Sequence, residues 1–298
     1  SIDSYAFYNC QNFNGKIEIP ASVEQIGDYS FSGCSKITEI SLGQNVKSIG
    51  SYAFDNCNSL GGSLEIPDSV LNIGDHSFNN LQFTKLILGK GIESIGSYAF
   101  SNCKKISCDL TLPESLKAID EKAFSDCSGL TGLTFGHALE SIAKNAFSNC
   151  LSLVGDLKFH DNLIEIGDSC FQGCSNLNGI LSLPSSIKKI GSLCFFNLEN
   201  LRGNITLPNV ESIGESAFEG CKSLSDSIEI GNSCTEIGER AFTSCSGLKG
   251  HLSLSNKLEN LKEYTFYGCS GLTGTLTIPE SILTIGQYCF RYCSSFSK

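Results

Sequence analysis

A phenylalanine recurs at nearly constant spacing along the whole chain. Consecutive members of this series are 22 to 24 residues apart: Phe7, Phe31, Phe54, Phe78, Phe100, Phe124, Phe147, Phe171, Phe195, Phe218, Phe242, Phe266 and Phe290. Self-similarity at a period of about 20 to 30 residues is typical of solenoids, in which each repeat is one coil and neighbouring coils stack. The length of 298 residues alone would predict one large or two ordinary domains. The repeat replaces that prediction with a solenoid.

Other residue types keep register with this phenylalanine. Five residues before it stands Ile in every coil except that of Leu261, and three residues after it most coils have Cys. An alternating apolar pair such as Ile17 and Ile19 predicts a short strand with one buried face, and all six prolines directly follow such a pair. Proline ends a strand because it has no N–H to donate. The segment Ala-Phe-x-x-Cys is predicted to be a helical or 3₁₀ turn.

The repeat unit resembles a known family. Its form, Leu-x-Gly-x-Leu-x-Ile-Pro-x-Ser-Val/Ile-x-x-Ile-Gly-x-x-Ala-Phe-x-x-Cys, is similar to the leucine-rich repeat of BspA-type surface proteins, and residues 269–290 show it most fully. The resemblance implies a leucine-rich-repeat solenoid, a right-handed superhelix that is classed α/β by convention. Such a solenoid would be β-rich, with short strands and 3₁₀ or helical turns in about 12 coils of 22–24 residues.

The resemblance also bears on organisation and role. We expect residues 1–298 to form a single solenoid that is part of a longer chain, because the sequence starts and stops inside a repeat. Known members of the family, from host-associated bacteria and parasitic protists, are mostly surface proteins that are thought to bind extracellular matrix or other cells. Fold alone does not determine function, because leucine-rich repeats serve many binding tasks.

Fourteen of the sixteen cysteines follow the repeat, and only Cys108 and Cys234 lie outside it; Cys170, Cys194 and Cys289 directly precede the repeated Phe. Eleven share one position: Cys10, Cys34, Cys57, Cys103, Cys127, Cys150, Cys174, Cys221, Cys245, Cys269 and Cys293. Leu81 and Leu198 occupy that position in the other two coils, so the position is filled for volume by a small apolar side chain. Adjacent coils would place equivalent cysteines about 5 Å apart, within disulfide reach, but with parallel side chains. We expect a ladder of reduced thiols; some disulfides, or metal ligation, are the alternatives.

Composition and motifs argue against several functional classes. The formal net charge is −10, with Lys and Arg scattered singly, which disfavours nucleic acid as a partner. No stretch approaches the roughly 18 consecutive apolar residues of a membrane-spanning helix. The chain has no GxSxG, HExxH, GxGxxG or phosphate-loop motif, and its four histidines fall at different positions of the repeat. We therefore expect no catalysis, no cofactor and no metal site.

A stripe of aromatic residues is the candidate partner-binding site. Two residues before the repeated phenylalanine, five consecutive coils have Tyr5, Tyr29, Tyr52, His76 and Tyr98. The middle coils instead have Lys122, Asn145, Ser169, Leu193, Ser216 and Arg240 at this position. Because the position tolerates Lys and Arg, it is expected to be at least partly exposed. An exposed aromatic stripe suits a protein interface because Tyr offers a large contact area at low entropic cost. The alternative is that the Tyr rings only cover the edge of the phenylalanine ladder.

The outward residues of the main strand form a second surface. They are small and polar in most coils: Glu18, Ser41, Glu65, Ile87, Thr111, Thr134, Lys158, Ser182, Thr206, Glu229, Ser253 and Thr277. This face has neither a charge block nor an aromatic cluster. It is interpreted as a solvated strand face, or as a broad and weak binding surface.

Two functional hypotheses follow. The first is a non-enzymatic protein-binding or adhesion module on a cell surface, whose partner is a matrix or host-cell protein. The second is an intracellular scaffold, cytoplasmic or cytoskeleton-associated, that uses the same solenoid as a spacer. Unpaired thiols favour a reducing compartment and hence the second hypothesis, whereas the family resemblance favours the first.

Overall fold

The computed structural model describes residues 1–297, which fold as a parallel β-solenoid of about 12 turns. The chain divides into two compact units, Ser1–Leu153 and Val154–Lys298. Each unit is a stack of coils, and each coil contributes two short strands that pair in parallel with the strands of neighbouring coils. The leucine-rich-repeat fold class predicted from the sequence is confirmed.

The second strand of each coil is two residues long and ends on the Ile or Leu that precedes Phe by five residues, a side chain that is buried in every such strand except that of Ile285. In the first unit these strands form one ladder: Gln25–Ile26, Ser48–Ile49, Asn72–Ile73, Ser94–Ile95, Ala118–Ile119 and Ser141–Ile142. In the second unit they are Glu165–Ile166, Lys189–Ile190, Ser212–Ile213, Glu236–Ile237, Asn260–Leu261 and Thr284–Ile285. The ladder pairs equivalent residues, such as Ile49 with Ile26 and Ile73, so the repeat sets the register.

The first strand of each coil contains the alternating apolar pair. In the first unit these strands are Asn14–Glu18, Lys36–Ser41, Gly61–Glu65, Gln82–Ile87, Asp109–Thr111 and Gly132–Thr134, hydrogen-bonded in successive pairs. In the second unit they are Leu157–Lys158, Leu181–Ser182, Ile205–Leu207, Ile228–Ile230, Leu252–Ser253, Gly274–Thr275 and Phe296–Ser297. Because side chains alternate between the two faces of a strand, the apolar residues of the pair point into the core and the residues beside them point outward.

The segment around the repeated phenylalanine has no helix anywhere in residues 1–297. Its N–H groups alternate between two kinds of acceptor. Tyr29 and Phe31 donate to carbonyls of the next coil at 2.9 Å each, whereas Ser32 and Cys34 donate to carbonyls three residues earlier at 3.2 and 3.1 Å. The expected helical or 3₁₀ turn is thus a run of single turns, which also forms a third hydrogen-bonded ladder between coils.

The core of each unit is a stack of phenylalanine rings flanked by aliphatic ladders. Ring centroids of successive coils are 5.0–5.3 Å apart from Phe7 to Phe147, and 5.2–5.7 Å apart from Phe171 to Phe290. A single coil exposes its apolar face, and stacking removes that face from water, at about 25 cal/mol per Å² of apolar area. The repeat therefore becomes stable only as a stack.

Coils of two kinds alternate in the first unit. The residue after the alternating pair is Pro in one coil and Gly in the next: Pro20, Gly43, Pro67, Gly89, Pro113 and Gly136. The glycine lies against the proline carbonyl of the preceding coil, where a Cβ on Gly43 would approach the Pro20 oxygen to 2.5 Å. The structural period of this unit is therefore two coils, a regularity that the single-coil repeat does not reveal.

Candidate functional site

The five residues of the predicted stripe form one column of stacked rings. The centroid distances are 5.0 Å for Tyr5–Tyr29, 4.7 Å for Tyr29–Tyr52, 4.6 Å for Tyr52–His76 and 4.5 Å for His76–Tyr98. The ring planes are within 3–8° of parallel. We call this set the aromatic column. Its spacing follows from the coil-to-coil distance of a parallel ladder, about 4.8 Å.

The aromatic column lies at the surface. Tyr5 is 56% exposed, and the other four rings are partly exposed. Because each ring stacks on the next, the faces inside the column are covered by their neighbours, and the ring edges and polar atoms are what a partner can contact. The column therefore presents a narrow strip of phenol and imidazole edges, with apolar surface between them.

The backbone under the aromatic column is left-handed. Every member has a positive φ: Tyr5 61°, Tyr29 54°, Tyr52 56°, His76 53° and Tyr98 57°. A bulky side chain in this region costs about 1–3 kcal/mol, so such residues are uncommon there. The same position is left-handed in every other coil as well, so the conformation belongs to the repeat.

Each coil has a second left-handed position, two residues after Phe, which can be compared with the position of the aromatic column. Two residues after Phe, the positive φ falls on Asn, Gly, Asp or Ser in every coil except that of Tyr292. These residue types tolerate the conformation because they are small or can hydrogen-bond locally. Two residues before Phe, the same requirement is met by Tyr in six coils. In these six coils a ring is therefore present although its residue type does not favour the backbone conformation.

A cation closes one end of the aromatic column. In the coil after Tyr98 the equivalent residue is Lys122, whose Nζ lies 5.0 Å from the Tyr98 ring centroid and donates to the phenol oxygen at 3.0 Å. Tyr98 and the surrounding carboxylates raise the pKa of Lys122. In the second unit, Arg240 covers the Tyr264 ring at 4.6 Å in the same way. Lysine and arginine therefore interact directly with the rings at this position.

Sequence reasoning missed several neighbours of the aromatic column. Tyr8 approaches the Tyr5 ring edge-on, with centroids 5.5 Å apart. Asp55 lies near His76. Burial raises the pKa of the Asp55 carboxyl and outweighs the smaller lowering effect of His76. Desolvation, with smaller contributions from Tyr52 and Tyr5, raises the pKa of Tyr29, which keeps this phenol protonated at neutral pH. The signal that could have found Tyr8 and Asp55 is that both directly follow the repeated Phe.

The remaining predictions concern other surfaces. The outward residues of the first strands are all exposed, as predicted. Residues 1–297 contain no group of three or more His, Cys, Asp or Glu that could hold a metal. All sixteen cysteines lie in the described part of the chain, and all but Cys10, Cys108 and Cys293 are buried. Within the same residues, no helix is long and apolar enough to cross a membrane.

Comparison with known proteins identifies the family. The model of the BspA type Leucine rich repeat region matches in six copies over residues 1–62, 61–178 and 178–297. A search of the curated proteins found no match.

Solved structures of several bacterial proteins are similar to this chain. A leucine-rich repeat protein from Bacteroides ovatus has 28% identity and a TM-score of 0.71, covering 98% of this chain and 80% of that one. A leucine rich cell surface protein from Faecalibacterium prausnitzii has 21% identity and a TM-score of 0.43, covering 99% and 82%. The pneumococcal vaccine antigen PcpA has 19% identity and a TM-score of 0.48, covering 96% and 71%. Since the family model matches almost the whole chain, this protein belongs to the BspA-type leucine-rich repeat family.

Proposed function

We propose that this chain is a non-enzymatic protein-binding module that acts in adhesion at a cell surface. The observation that carries the proposal is the aromatic column, five partly exposed rings held in a conformation that bulky residues rarely adopt. Aromatic residues are enriched at the centres of protein interfaces, where they give large contact areas at low entropic cost. Leucine-rich repeat proteins generally mediate protein interactions and typically act without catalysis.

The surface location rests on the family. BspA-type repeats occur mostly in surface proteins, and a matrix or host-cell protein is the corresponding partner. Rigid, periodic solenoids suit this role because they present extended surfaces whose shape is set by the stack. The aromatic column, with Tyr5, Tyr29, Tyr52, His76 and Tyr98, is the proposed contact surface.

The test replaces rings without disturbing the backbone. Asn145 occupies the column position of its own coil with a φ of 56°, so Tyr29→Asn combined with Tyr52→Asn removes two rings at no conformational cost. Labelled protein is applied to host cells and to immobilised matrix proteins, and bound fluorescence is measured. We expect the double variant to bind at least about tenfold more weakly than wild type, since interface Tyr residues contribute more than about 1 kcal/mol each.

A matched control is available in the second unit. Tyr264→Asn makes the same chemical change at the same repeat position, with a φ of 56°, outside the aromatic column. It should bind like wild type. Equal binding of wild type and the double variant would exclude the aromatic column as the contact surface.

An intracellular scaffold is the second candidate, supported by a ladder of buried cysteines whose thiols donate to backbone carbonyls, such as Cys57 and Cys103. Disulfides form and persist in oxidising compartments, so a surface protein with this many unpaired cysteines is unusual. Microscopy of the full-length protein with and without permeabilisation separates the two candidates. Labelling of intact cells supports the surface module, whereas labelling that requires permeabilisation supports the scaffold.

A further inference from the structure

The turns that hold the aromatic column carry only negatively charged side chains. The turn segments that hold the aromatic column extend from four residues before each Phe to three residues after it, residues 3–10, 27–34, 50–57, 74–81 and 96–103. They contain four aspartates and neither Lys nor Arg, although Lys104 and Lys105 follow the last segment directly. These aspartates are Asp3, Asp28, Asp55 and Asp75. The whole chain has 31 acidic and 21 basic side chains, so the basic residues are not scarce but lie elsewhere. The aromatic column is thus bordered by carboxylates along its length and by the ammonium group of Lys122 at one end.

Two of these aspartates are fixed in position. The residue immediately before each ring alternates along the stack: Asp28, Ser51, Asp75 and Ser97. The Ser51 N–H donates to Asp28 Oδ1 at 2.8 Å, and the Ser97 N–H donates to Asp75 Oδ1 at 2.8 Å. Both aspartates are exposed, so the second carboxylate oxygen is accessible to a partner. The two carboxylates are pre-organised, which lowers the entropic cost of binding a cation.

The spacing of these carboxylates is two coils, in step with the alternation of Pro and Gly coils. The column rises 4.7 Å from Tyr29 to Tyr52 and 4.6 Å from Tyr52 to His76. Three residues of polyproline II helix, at about 3.1 Å each, span about the same distance. Side chains on one face of an extended strand repeat every two residues, about 6.6–6.8 Å, and do not match. A polyproline II segment with a cation at every third residue matches Asp28 and Asp75.

The chain itself shows how a cation engages this surface. Lys122 places its ammonium group near the Tyr98 ring and donates to the phenol oxygen. A partner lysine or arginine beside Tyr29 or His76 would find a carboxylate and a ring edge together, which combines charge-assisted hydrogen bonding with contact to its aliphatic stem.

We propose that the aromatic column and the anchored pair Asp28 and Asp75 bind a basic segment of the partner protein, lying along the stack in polyproline II conformation with Lys or Arg at every third residue. This inference rests on the proposed function and specifies the chemistry of the partner. The occupant is a protein segment, because polyproline II is a backbone conformation.

The probe is a fluorescent peptide of four Arg-Pro-Pro repeats, titrated with the intact 298-residue chain and followed by anisotropy. Three comparison peptides are used: one with the same composition but its four arginines contiguous, one of Glu-Pro-Pro repeats, and one of Lys-Pro-Pro repeats. We expect the Arg and Lys repeats to bind, the contiguous peptide to bind at least about fivefold more weakly, and the Glu repeat not to bind. Binding should weaken with added salt, because the contacts are ionic.

The variant arm uses Asp28→Asn with Asp75→Asn, because Asn keeps the oxygen that accepts from the Ser51 and Ser97 N–H groups. This variant should lose about tenfold in affinity for the Arg-Pro-Pro peptide, as expected for the loss of two charge-assisted contacts. Asp168→Asn is the matched control: its Oδ1 accepts from the Ser192 N–H at 2.8 Å, but it lies in the second unit, so affinity should not change.

Three outcomes overturn the inference: no binding of the Arg-Pro-Pro peptide, equal affinity for the contiguous peptide, or equal affinity of the Asp28→Asn/Asp75→Asn variant. Failure of the proposed function is distinguishable. If host-cell or matrix binding requires Tyr29 and Tyr52 but not the two aspartates, the aromatic column is an interface with a partner of different chemistry. If neither pair matters to any ligand, both proposals fail.

Discussion

The thiol of Cys57 donates a hydrogen bond to the backbone carbonyl oxygen of Phe31, one coil earlier, with a sulfur–oxygen distance of 3.1 Å. The same bond recurs between other coils, for example from Cys103 to Phe78 at 3.2 Å and from Cys245 to Phe218 at 3.0 Å. The cysteine position therefore supplies a donor between coils as well as filling volume. Leu81 and Leu198 lack this donor, but the carbonyls they face still accept from the N–H three residues later, as Phe54 does from Cys57.

Substitution of Cys57 separates volume from hydrogen bonding. Valine has no donor and fills the position with a larger apolar side chain, as Leu81 and Leu198 do in their own coils, so Cys57→Val should lower the free energy of unfolding by about 0.5–1 kcal/mol, the net worth of one weak hydrogen bond. Cys57→Ala removes the sulfur as well and should cost about 1–2 kcal/mol. Urea denaturation of both variants measures the two contributions. A valine variant as stable as wild type would show that the position only fills volume.

Thiol reactivity should divide the cysteines by exposure. Cys10, Cys108 and Cys293 are partly exposed, and the other thirteen are buried. In native protein without reductant, we expect a thiol reagent to modify the exposed three first and the remainder only after unfolding, because the thiolate must reach the reagent. Intact-mass measurement of the denatured, alkylated protein should show sixteen modifications. Any pair that resists alkylation until reductant is added would contradict the ladder of free thiols.

The buried thiols should also make the fold sensitive to alkaline pH. Burial raises the pKa of Cys57, Cys103 and Cys221 from 9.0 to about 12. Between these values the unfolded chain has lost the thiol proton and the folded chain retains it, so the unfolded state binds fewer protons and stability falls as pH rises. Below pH 9 this contribution is fully present. Each thiol contributes a slope of about 1.4 kcal/mol per pH unit.

Urea midpoints measured at intervals from pH 8 to pH 10.5 test this linkage. The midpoint should be constant at the lower end and fall progressively above pH 9. Cys103→Val removes one of the titrating groups, so the decline of the midpoint above pH 9 should be shallower by the contribution of one thiol. At pH 8 the variant should show only the loss of about 0.5–1 kcal/mol that is expected for the missing thiol hydrogen bond. A decline of the same steepness in the variant would assign the alkaline loss to other groups.

Much of this architecture is predictable from the sequence because it depends on burial, which the repeat reports directly. Apolar residues that recur at one repeat position are expected to be buried. This expectation places Ile49, Ile17, Ile19 and the stacked Phe rings in the core. The membership of the aromatic column is predictable for the same reason, since Tyr29 and Tyr52 share a repeat position and coils stack in register.

Other features depend on hydrogen bonds that the residue types do not reveal. Tyr and Lys have no preference for positive φ, so nothing in Tyr52 or Lys122 indicates a left-handed backbone. The distance between coils determines which carbonyls accept hydrogen bonds from the N–H groups of the turn and from the Cys thiols. The anchoring of Asp28 by the Ser51 N–H likewise needs the register of one coil on the next, which the order of residues does not specify.

The Pro and Gly alternation makes a prediction about packing. A Cβ on Gly89 would overlap the carbonyl oxygen of Pro67, whereas a Cβ on Gly62 would meet nothing within 4 Å. Gly89→Ala should therefore destabilise by about 1–3 kcal/mol through overpacking. Gly62→Ala should cost about 1 kcal/mol, from the positive φ of 75° alone. Thermal unfolding should rank wild type, Gly62→Ala and Gly89→Ala in that order, and the reverse order of the two variants would contradict the close contact.

Tyr29 allows the energetic role of the aromatic column to be separated from its backbone conformation. Tyr29 stacks on Tyr5 and Tyr52, and each stacked pair is worth about 0.5–1.5 kcal/mol, so removal of the ring destabilises the fold modestly. The φ of 54° adds a second effect that depends on the replacement, because Asn adopts this region readily and Ala does not. Tyr29→Ala should therefore be less stable than Tyr29→Asn by about 1 kcal/mol, although both variants lack the ring.

Denaturation midpoints of the two variants at pH 7 give the comparison, with Asn145→Ala as a control that changes the same φ preference without removing a ring. If Tyr29→Ala proved as stable as Tyr29→Asn while Asn145→Ala was destabilised, the backbone at Tyr29 would have relaxed out of the left-handed region once the ring was gone, and the stack itself would be what holds this backbone in place.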